Sequence, residues 1–428
     1  MTFKENLLEF LSIEEADELL SSLKEKDEHA VLLNLDKISD EEFLKLYPNV
    51  TPHPYVEHAY IFDKYIYPLG KSVYHELGYF YIQEPSAMIV SSLIDFKEDD
   101  LVLDICAAPG GKSIGASFIL KDTGLIISND LSKSRTSLIV NNVERLGRKN
   151  LVITNNDFEK IYQDYIDKFD VIILDAPCSG SGMMRKDDAF QEEWSINKVN
   201  KFADIQKSLI LIAYKMLKPG GIMSYSTCSY SFEEDEDVVN YLLDNTNAVI
   251  KPLKEMKDAF INKKCPIGVR FLPSKFKGEG QYICQISKPG IKIDNKYIKE
   301  NKYKKCLPRC LDNKHIEKYG GTYFYLPNNM NFKNLNVIRK GVKIGEEHKG
   351  LLRYDLHFAR SLKEDEFDSV EITLEELKLY IEGHPINKKN SFKGFVLLTY
   401  NHNPVDIAKS DGEVIKNYYP KGLRKRFE

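Results

Sequence analysis

The sequence predicts an α/β protein: a doubly wound parallel sheet between a small N-terminal α+β domain and a C-terminal, mostly β region. Three observations point there. From about residue 100 to 245, short apolar runs alternate strictly with helical periodicity, the pattern of parallel strands joined by crossovers. The polar residues able to do chemistry gather at the carboxyl ends of those runs, where such sheets bind ligands. Beyond about residue 290 the alternation stops, and short strand-like pieces with Gly turns replace it.

Bulk properties agree. The 428 residues exceed one core, and 43% hydrophobic with 29% charged residues is an ordinary globular balance. No run of about 18 apolar residues occurs, so no membrane span is expected. The opening "MTFKENLLEF" lacks the layout of a signal peptide. Seven cysteines, an odd count, argue against a disulfide framework and for a reducing, cytoplasmic setting. The net charge of −4 is unevenly spread. Residues 1–50 hold 5 basic and 13 acidic residues, whereas 251–310 hold 16 basic and 5 acidic, a stretch suited to phosphate contact.

In chain order, "ENLLEFLSIEEADELLSSLKE" spaces its leucines as helices do. Residues 50–85, rich in Tyr, His and Pro, read as irregular or short-stranded. "LVLDIC" (101–106) is a buried strand, followed by the turn "AAPGGK" and a helix. "GLIISND" (124–130), "LVITNND" (151–157) and "FDVIILDAP" (169–177) are the next three strands. A helix over 196–217, stopped by "KPGG", precedes the fifth strand, "GIMSYSTC" (221–228). "FEEDEDVVNYLLD" is a further helix, and a lysine-rich connection leads to the C-terminal region with its tail "NYYPKGLRKRFE".

The turn Cys106-Ala107-Ala108-Pro109-Gly110-Gly111-Lys112 is not a P-loop, because Cys106 stands where the first glycine belongs. It also lacks G-x-G-x-x-G. Its small residues let backbone amides approach a ligand, and the helix start favours an anionic group. Asp130, about 20 residues on, suits ribose hydroxyls. Asp157, which ends the third strand, suits an adenine amino group. Each acid alone is more often a helix cap, but together they fit a nucleoside with a charged tail. S-adenosylmethionine has those parts.

"DAPCSGSG" and "STCSY" put Cys178 and Cys228 at neighbouring strand ends, with Asp175 beside them. A lone cysteine is usually core filler; two in Ser/Thr/Gly settings at a ligand edge are not. A metal is not expected: no His lies near either, and "CLPRC" (Cys306, Cys310) has no matching second pair. A thiolate beside a methyl donor suits cytosine, whose carbon 5 becomes nucleophilic once a thiolate adds to carbon 6. Asp175 would hydrogen-bond the ring and stabilise the developing charge. The acids of "FEEDED", Glu233 to Asp237, are expected to cap the following helix and point away from the thiol, since negative charge nearby would hinder its ionisation.

"DICAAPGGK", "LDAPCSGSG" and "YSTCSY" resemble the three most specific motifs of the Sun-family RNA (cytosine-5) methyltransferases, in order, across roughly residues 75–290. "YIQEPSAM" and "RFLPSKFKGEGQYIC" resemble its flanking segments. The resemblance implies a Rossmann-like class I methyltransferase fold. It also implies S-adenosyl-L-methionine as cofactor, Cys228 as the attacking thiol and Cys178 as the thiol that assists release. "GVKIGEEHKGLLRYDLHFARSL" and "KNYYPKGLRKRF" resemble the PUA-like RNA-binding end of the bacterial 16S ribosomal RNA methyltransferase F type. The family's tryptophan-bearing strand is replaced by "NPVDIAKSDG", and Leu32 stands in place of an N-terminal arginine.

The expected organisation is therefore an N-terminal RNA-binding domain (1–75), a methyltransferase domain (76–290) and a PUA-like region (300–428). The expected partner is RNA, ribosomal or a small-subunit assembly intermediate, with no membrane and no metal. A transfer RNA methyltransferase, a non-catalytic assembly factor and a thiol oxidoreductase are the competing readings. The paired cysteines speak against the second, and the acids suited to ribose against the third.

Overall fold

The computed structural model describes residues 1–185, 193–293, 295, 307–311, 315–327 and 334–427. Two short helices, Phe3–Leu7 and Ile13–Ser22, open the chain. Each begins with a capping box, Thr2 with Glu5 and Ser12 with Glu15, which satisfies amides the helix leaves without partners. Leu7, Ala16 and Leu19 of these helices, with Phe10 between them, are buried against Tyr230, Phe260 and Leu272 of the central domain. The helices therefore rest on the segment that follows Cys228. A four-stranded antiparallel sheet comes next, in the order Thr51–Pro52, Ala59–Phe62, His29–Leu33, Phe80–Gln83. The helix Asp40–Leu46 covers it, with Phe43 packed on Tyr60 and Phe80 at ring distances of 5.3 and 5.9 Å.

The central sheet holds five parallel strands: Leu101–Asp104, Leu125–Asn129, Leu151–Thr154, Phe169–Asp175 and Leu217–Thr227. In space they lie in the order fifth, fourth, first, second, third. The order reverses between the first and fourth strands, so their carboxyl ends flank the crevice where such sheets bind ligands. Their side chains are almost all fully buried, as helices on both faces require. Each Leu, Ile or Val buried this way contributes about 1.5–3 kcal/mol. Gln281–Ser287 runs antiparallel beside the fifth strand.

Two boundaries differ from the sequence reading. The third strand ends at Thr154, three residues before Asp157. The fifth strand begins at Leu217, directly after the helix Ile196–Met216, so "KPGG" lies inside it. Lys218 explains this: its ammonium reaches Asp170 on the neighbouring strand at 2.9 Å, which favours an extended backbone there.

The C-terminal region is less separate than its composition suggests. Val337–Lys340 pairs antiparallel with the third parallel strand and extends the central sheet. A four-stranded antiparallel sheet spans His315 to Tyr354, and a five-stranded sheet runs in the order Ser369–Glu371, Gly394–Tyr400, Asn403–Ser410, Val414–Lys416, Ile386–Asn387. "NPVDIAKS" is thus a strand, and its buried Asp406 accepts a hydrogen bond from Tyr380 Oη at 2.8 Å. Tyr380, Val396 and Tyr419 share one apolar core with Val31, Phe43 and Phe80 of the N-terminal sheet. Glu76 ties the two regions by ion pairs with Arg360 (3.3 Å) and Lys425 (2.7 Å). No helix of the described residues is long and apolar enough to cross a membrane.

Candidate active site

The first parallel strand delivers Asp104 to the base of the glycine turn. Ala107 N donates to Asn129 O (2.7 Å), Ala108 N to Asp130 Oδ2 (3.1 Å), and Gly110 N to Ala107 O (2.7 Å). The Ala108–Pro109 peptide is cis, and Gly110 sits at φ +110°, a conformation glycine tolerates best. A Cβ on Gly111 would lie 2.5 Å from Gln83 Nε2, so only hydrogen fits unless Gln83 moves. Asp130 also accepts from Ser132 N at 2.9 Å. Its carboxylate therefore helps build the turn, in addition to the ribose role expected of it.

Asp157 needs a correction of place. It is not a strand end but the cap of the short helix Phe158–Ile161, accepting from Glu159 N at 3.2 Å and pairing with Lys160 at 2.9 Å. The strand stops at Thr154, and Asn155 and Asn156 carry the chain from it to Asp157. Asn155 donates to Asp130 O (2.8 Å), and Asn156 N donates to Asn129 Oδ1 (2.8 Å).

Asp104 is fully buried, and burial pushes its pKa up to about 7. Its Oδ2 accepts from Ser113 Oγ at 2.7 Å, while Oδ1 has no hydrogen-bond partner. Burial, reinforced by Asp104, Asp130 and Asp175, pushes the Cys106 thiol well up, so it stays protonated. The turn thus offers close backbone approach, an unpaired buried acceptor and several carboxylates. That donor set fits a ligand with a cationic centre and O–H and N–H donors, as S-adenosylmethionine has.

Asp175 ends the fourth strand. Its Oδ1 accepts from Ser226 Oγ (2.7 Å) and Gln281 Nε2 (2.9 Å), and its Oδ2 pairs with Lys112 at 2.5 Å. Burial works to lower the Lys112 pKa, yet Asp175 prevails and holds the ammonium above its ordinary value. Lys112 therefore links the glycine turn to the carboxylate beside the cysteines.

Cys178 and Cys228 meet in the same cleft with their sulfurs 2.8 Å apart. Both are free thiols. The adjacent Cys228 sulfur and burial hold the Cys178 thiol well above its usual pKa. Gly182 N donates to Cys228 O at 2.6 Å, and a Cβ on Gly182 would lie 2.4 Å from that oxygen. Only glycine lets the loop after Cys178 close on the loop of Cys228.

The acidic run is overturned as a set of helix caps. Asp235, at the cap position of Glu236–Asn245, makes no capping side-chain hydrogen bond. Instead Asp235 accepts from Thr227 Oγ1 (2.6 Å) and pairs with Arg270 (3.0 Å), which also holds Glu236. Glu234 turns inward and takes hydrogen bonds from both cysteine loops. Only the outer members behave as surface acids: Glu233 accepts from Asn6, and Asp237 pairs with Lys207 at 2.7 Å. The sequence signal was five consecutive acids beside a site, whose inward direction nothing local reveals.

The basic stretch is also more occupied than its charge suggests. Lys275, Lys288 and Lys292 pair with Glu15, Asp167 and Asp100, and Arg270 is buried. Residues 294 and 296–306, with Cys306 among them, lie outside the described residues.

Comparisons with known proteins converge. The family model described as 16S rRNA methyltransferase RsmB/F matches residues 91–287. The N-terminal domain of 16S rRNA methyltransferase RsmF matches 1–85, and the methyltransferase RsmF PUA domain matches 367–425. The ribosomal RNA small subunit methyltransferase F of Psychromonas ingrahamii is 31% identical, over 83% of this chain and 81% of its own. That of Vibrio campbellii is 29% identical, over 95% and 93%. Two crystal structures from Pyrococcus horikoshii share the fold. A methyltransferase homolog has a TM-score of 0.56 at 26% identity, covering 66% of this chain and 98% of its own. NSun6, solved with SFG, has a TM-score of 0.62 at 23% identity, covering 67% and 98%.

Proposed function

The chain belongs to the RsmB/F family of 16S rRNA methyltransferases, and on that footing we propose that it methylates carbon 5 of a cytosine in ribosomal RNA through a covalent adduct on Cys228. The observation that carries this reading is the pair of thiols at adjacent strand ends, 2.8 Å apart, beside the Asp175–Lys112 pair. A binding module has no use for it.

S-adenosylmethionine supplies an electrophilic methyl group. Backbone groups of Cys106 to Lys112, with Asp130 and Asp157, would hold it. The target cytosine has to leave its stack to enter the cleft, which favours a single-stranded or unfinished RNA. The Cys228 sulfur, as thiolate, forms a bond to carbon 6, and the electron pair of the 5,6 double bond moves to carbon 5. Asp175, held by Ser226 and Gln281, is set to accept from the cytosine amino group, and Lys112 offsets its charge. After methylation, solvent takes the carbon-5 proton, the C–H electron pair re-forms the 5,6 double bond, and the Cys228 sulfur departs with its bonding electrons as thiolate. The Cys178 thiol, protonated and in contact with that sulfur, stabilises the departing thiolate. The RsmF-type PUA domain and the N-terminal domain would grip the RNA around the cleft.

The test is direct. Wild type, Cys228→Ala and Cys178→Ala are incubated with 16S rRNA and S-adenosylmethionine, then resolved on a denaturing gel. Cys178→Ala should accumulate a protein–RNA adduct, and Cys228→Ala should give neither adduct nor 5-methylcytosine by mass spectrometry. Methylation by Cys228→Ala would overturn the mechanism.

A further inference from the structure

Glu234 lies in neither of the cysteine motifs, yet its carboxylate joins them. The side chain is fully buried. Oε1 accepts from Ser179 N (2.8 Å) and Gln206 Nε2 (3.1 Å). Oε2 accepts from Ser179 Oγ (2.5 Å) and Ser229 Oγ (2.6 Å). Ser179 follows Cys178 and Ser229 follows Cys228, so a single carboxylate holds both residues that come after the thiols. Gln206 binds the same loop a second time, donating to Pro177 O at 2.8 Å. A further bond runs from Tyr225 Oη, on the strand that leads to Cys228, to Glu234 O at 2.6 Å.

Resting on the methylation reading above, we propose that Glu234 is a positioning residue that sets the spacing of the two catalytic thiols: its Ser179 arm serves release by Cys178 and its Ser229 arm serves attack by Cys228. Burying a carboxylate is costly unless its lone pairs are filled, and four donors fill them here. The two strands that lead to the cysteines are already paired by their own backbone ladder. What the bridge adds is a fixed relation between two loops from different strands. A shift of about 1 Å in such a relation can cost 10²-fold in rate. Its charge has a second effect: Glu234 is among the groups that hold the Cys178 thiol protonated.

The two arms can be separated. Adduct formation and adduct decay are timed on denaturing gels for wild type, Glu234→Gln, Ser179→Ala and Ser229→Ala with 16S rRNA and S-adenosylmethionine. Ser179→Ala should slow decay at least tenfold and leave formation near wild type. Ser229→Ala should slow formation at least tenfold, and Glu234→Gln should slow both. Thermal melts accompany each variant; if Glu234→Gln does not fold, the two serine variants carry the test. Wild-type rates in both serine variants, or the same loss in both steps from either one, would overturn the positioning role. No adduct and no methylation with wild type would instead overturn the methylation reading beneath it.

Discussion

Cys178 Sγ stands 2.8 Å from Cys228 Sγ, beyond the ~2.05 Å of a covalent disulfide but within reach of one with little movement. A two-electron oxidant such as diamide would take up the two protons and two electrons and join the sulfurs. Methyl transfer should then stop, and dithiothreitol should restore it. Peptide mapping should find a link between residues 178 and 228. Loss of activity without that link, or unaffected by the thiol, would count against the proximity of the two groups in solution.

Lys112 is the partner that neutralises Asp175. Lys112→Met leaves that carboxylate beside the cysteines without a cation. The rate of methyl transfer should fall by about 10²-fold, the scale of losing one preorganised electrostatic group. RNA affinity, followed by filter binding, should stay near wild type, because the pair lies inside the cleft. Equal losses in rate and RNA affinity would place Lys112 on the RNA-gripping surface instead.

Arg270 is 1% exposed and sits between Phe10 and Tyr282, 4.5 and 5.0 Å from their ring centroids. It serves Asp235 and Glu236 together. Arg270→Met strands two buried carboxylates, so unfolding free energy should drop by about 3–5 kcal/mol in urea titrations. An exposed pair gives the contrast. Removing Lys45, which meets Glu41 at 2.7 Å with both side chains largely in water, should cost about 0–0.5 kcal/mol.

These cases mark where sequence reading succeeds and where it stops. The alternation of apolar runs and helices is local, so the parallel sheet is legible, as is the gathering of the glycine turn, Asp175 and both cysteines at its carboxyl ends. Asp157 is legible as a candidate cap, but its place at a strand end is not, because "NND" does not say which residue ends the strand. Glu234, Asp235 and Arg270 were not legible. Their burial depends on bonds between residues 28 to 55 positions apart, and a run of acids ordinarily signals a solvated face. The change in composition makes the C-terminal region look separate, while its core with Phe43 and Phe80 forms between residues 300 or more positions apart.

Asp104 gives a pH dependence with a defined sign. Burial raises its folded-state pKa from the ordinary aspartate value of about 4 to about 7. The folded protein therefore binds a proton that the unfolded chain has released between about pH 4 and pH 7. Stability from this group falls as pH rises through that window and levels off above it, by about 4 kcal/mol in total. Asp104→Asn removes the titration. Its melting temperature relative to wild type should rise steadily from pH 5 to pH 7.5. A constant difference across that range would show that Asp104 ionises at its ordinary pKa.

Gly182 separates loop closure from the rest of the site. Its amide donates to Cys228 O at 2.6 Å, and an added methyl would meet that oxygen at 2.4 Å. The obstacle is backbone on both sides, so neither can yield by rotating a side chain. Gly182→Ala should push the Cys178 loop away from Cys228. The glycine turn and Asp130 lie on other strands and should keep their geometry. Binding of S-adenosylmethionine, measured by calorimetry, should therefore remain near wild type. Methyl transfer should fall by about 10²-fold, as expected for displacement of about 1 Å at a reacting centre. Diamide should also lose its effect, because the sulfurs no longer meet. A Gly182→Ala enzyme that methylates normally and still cross-links would show that the two loops have room the packed structure denies them.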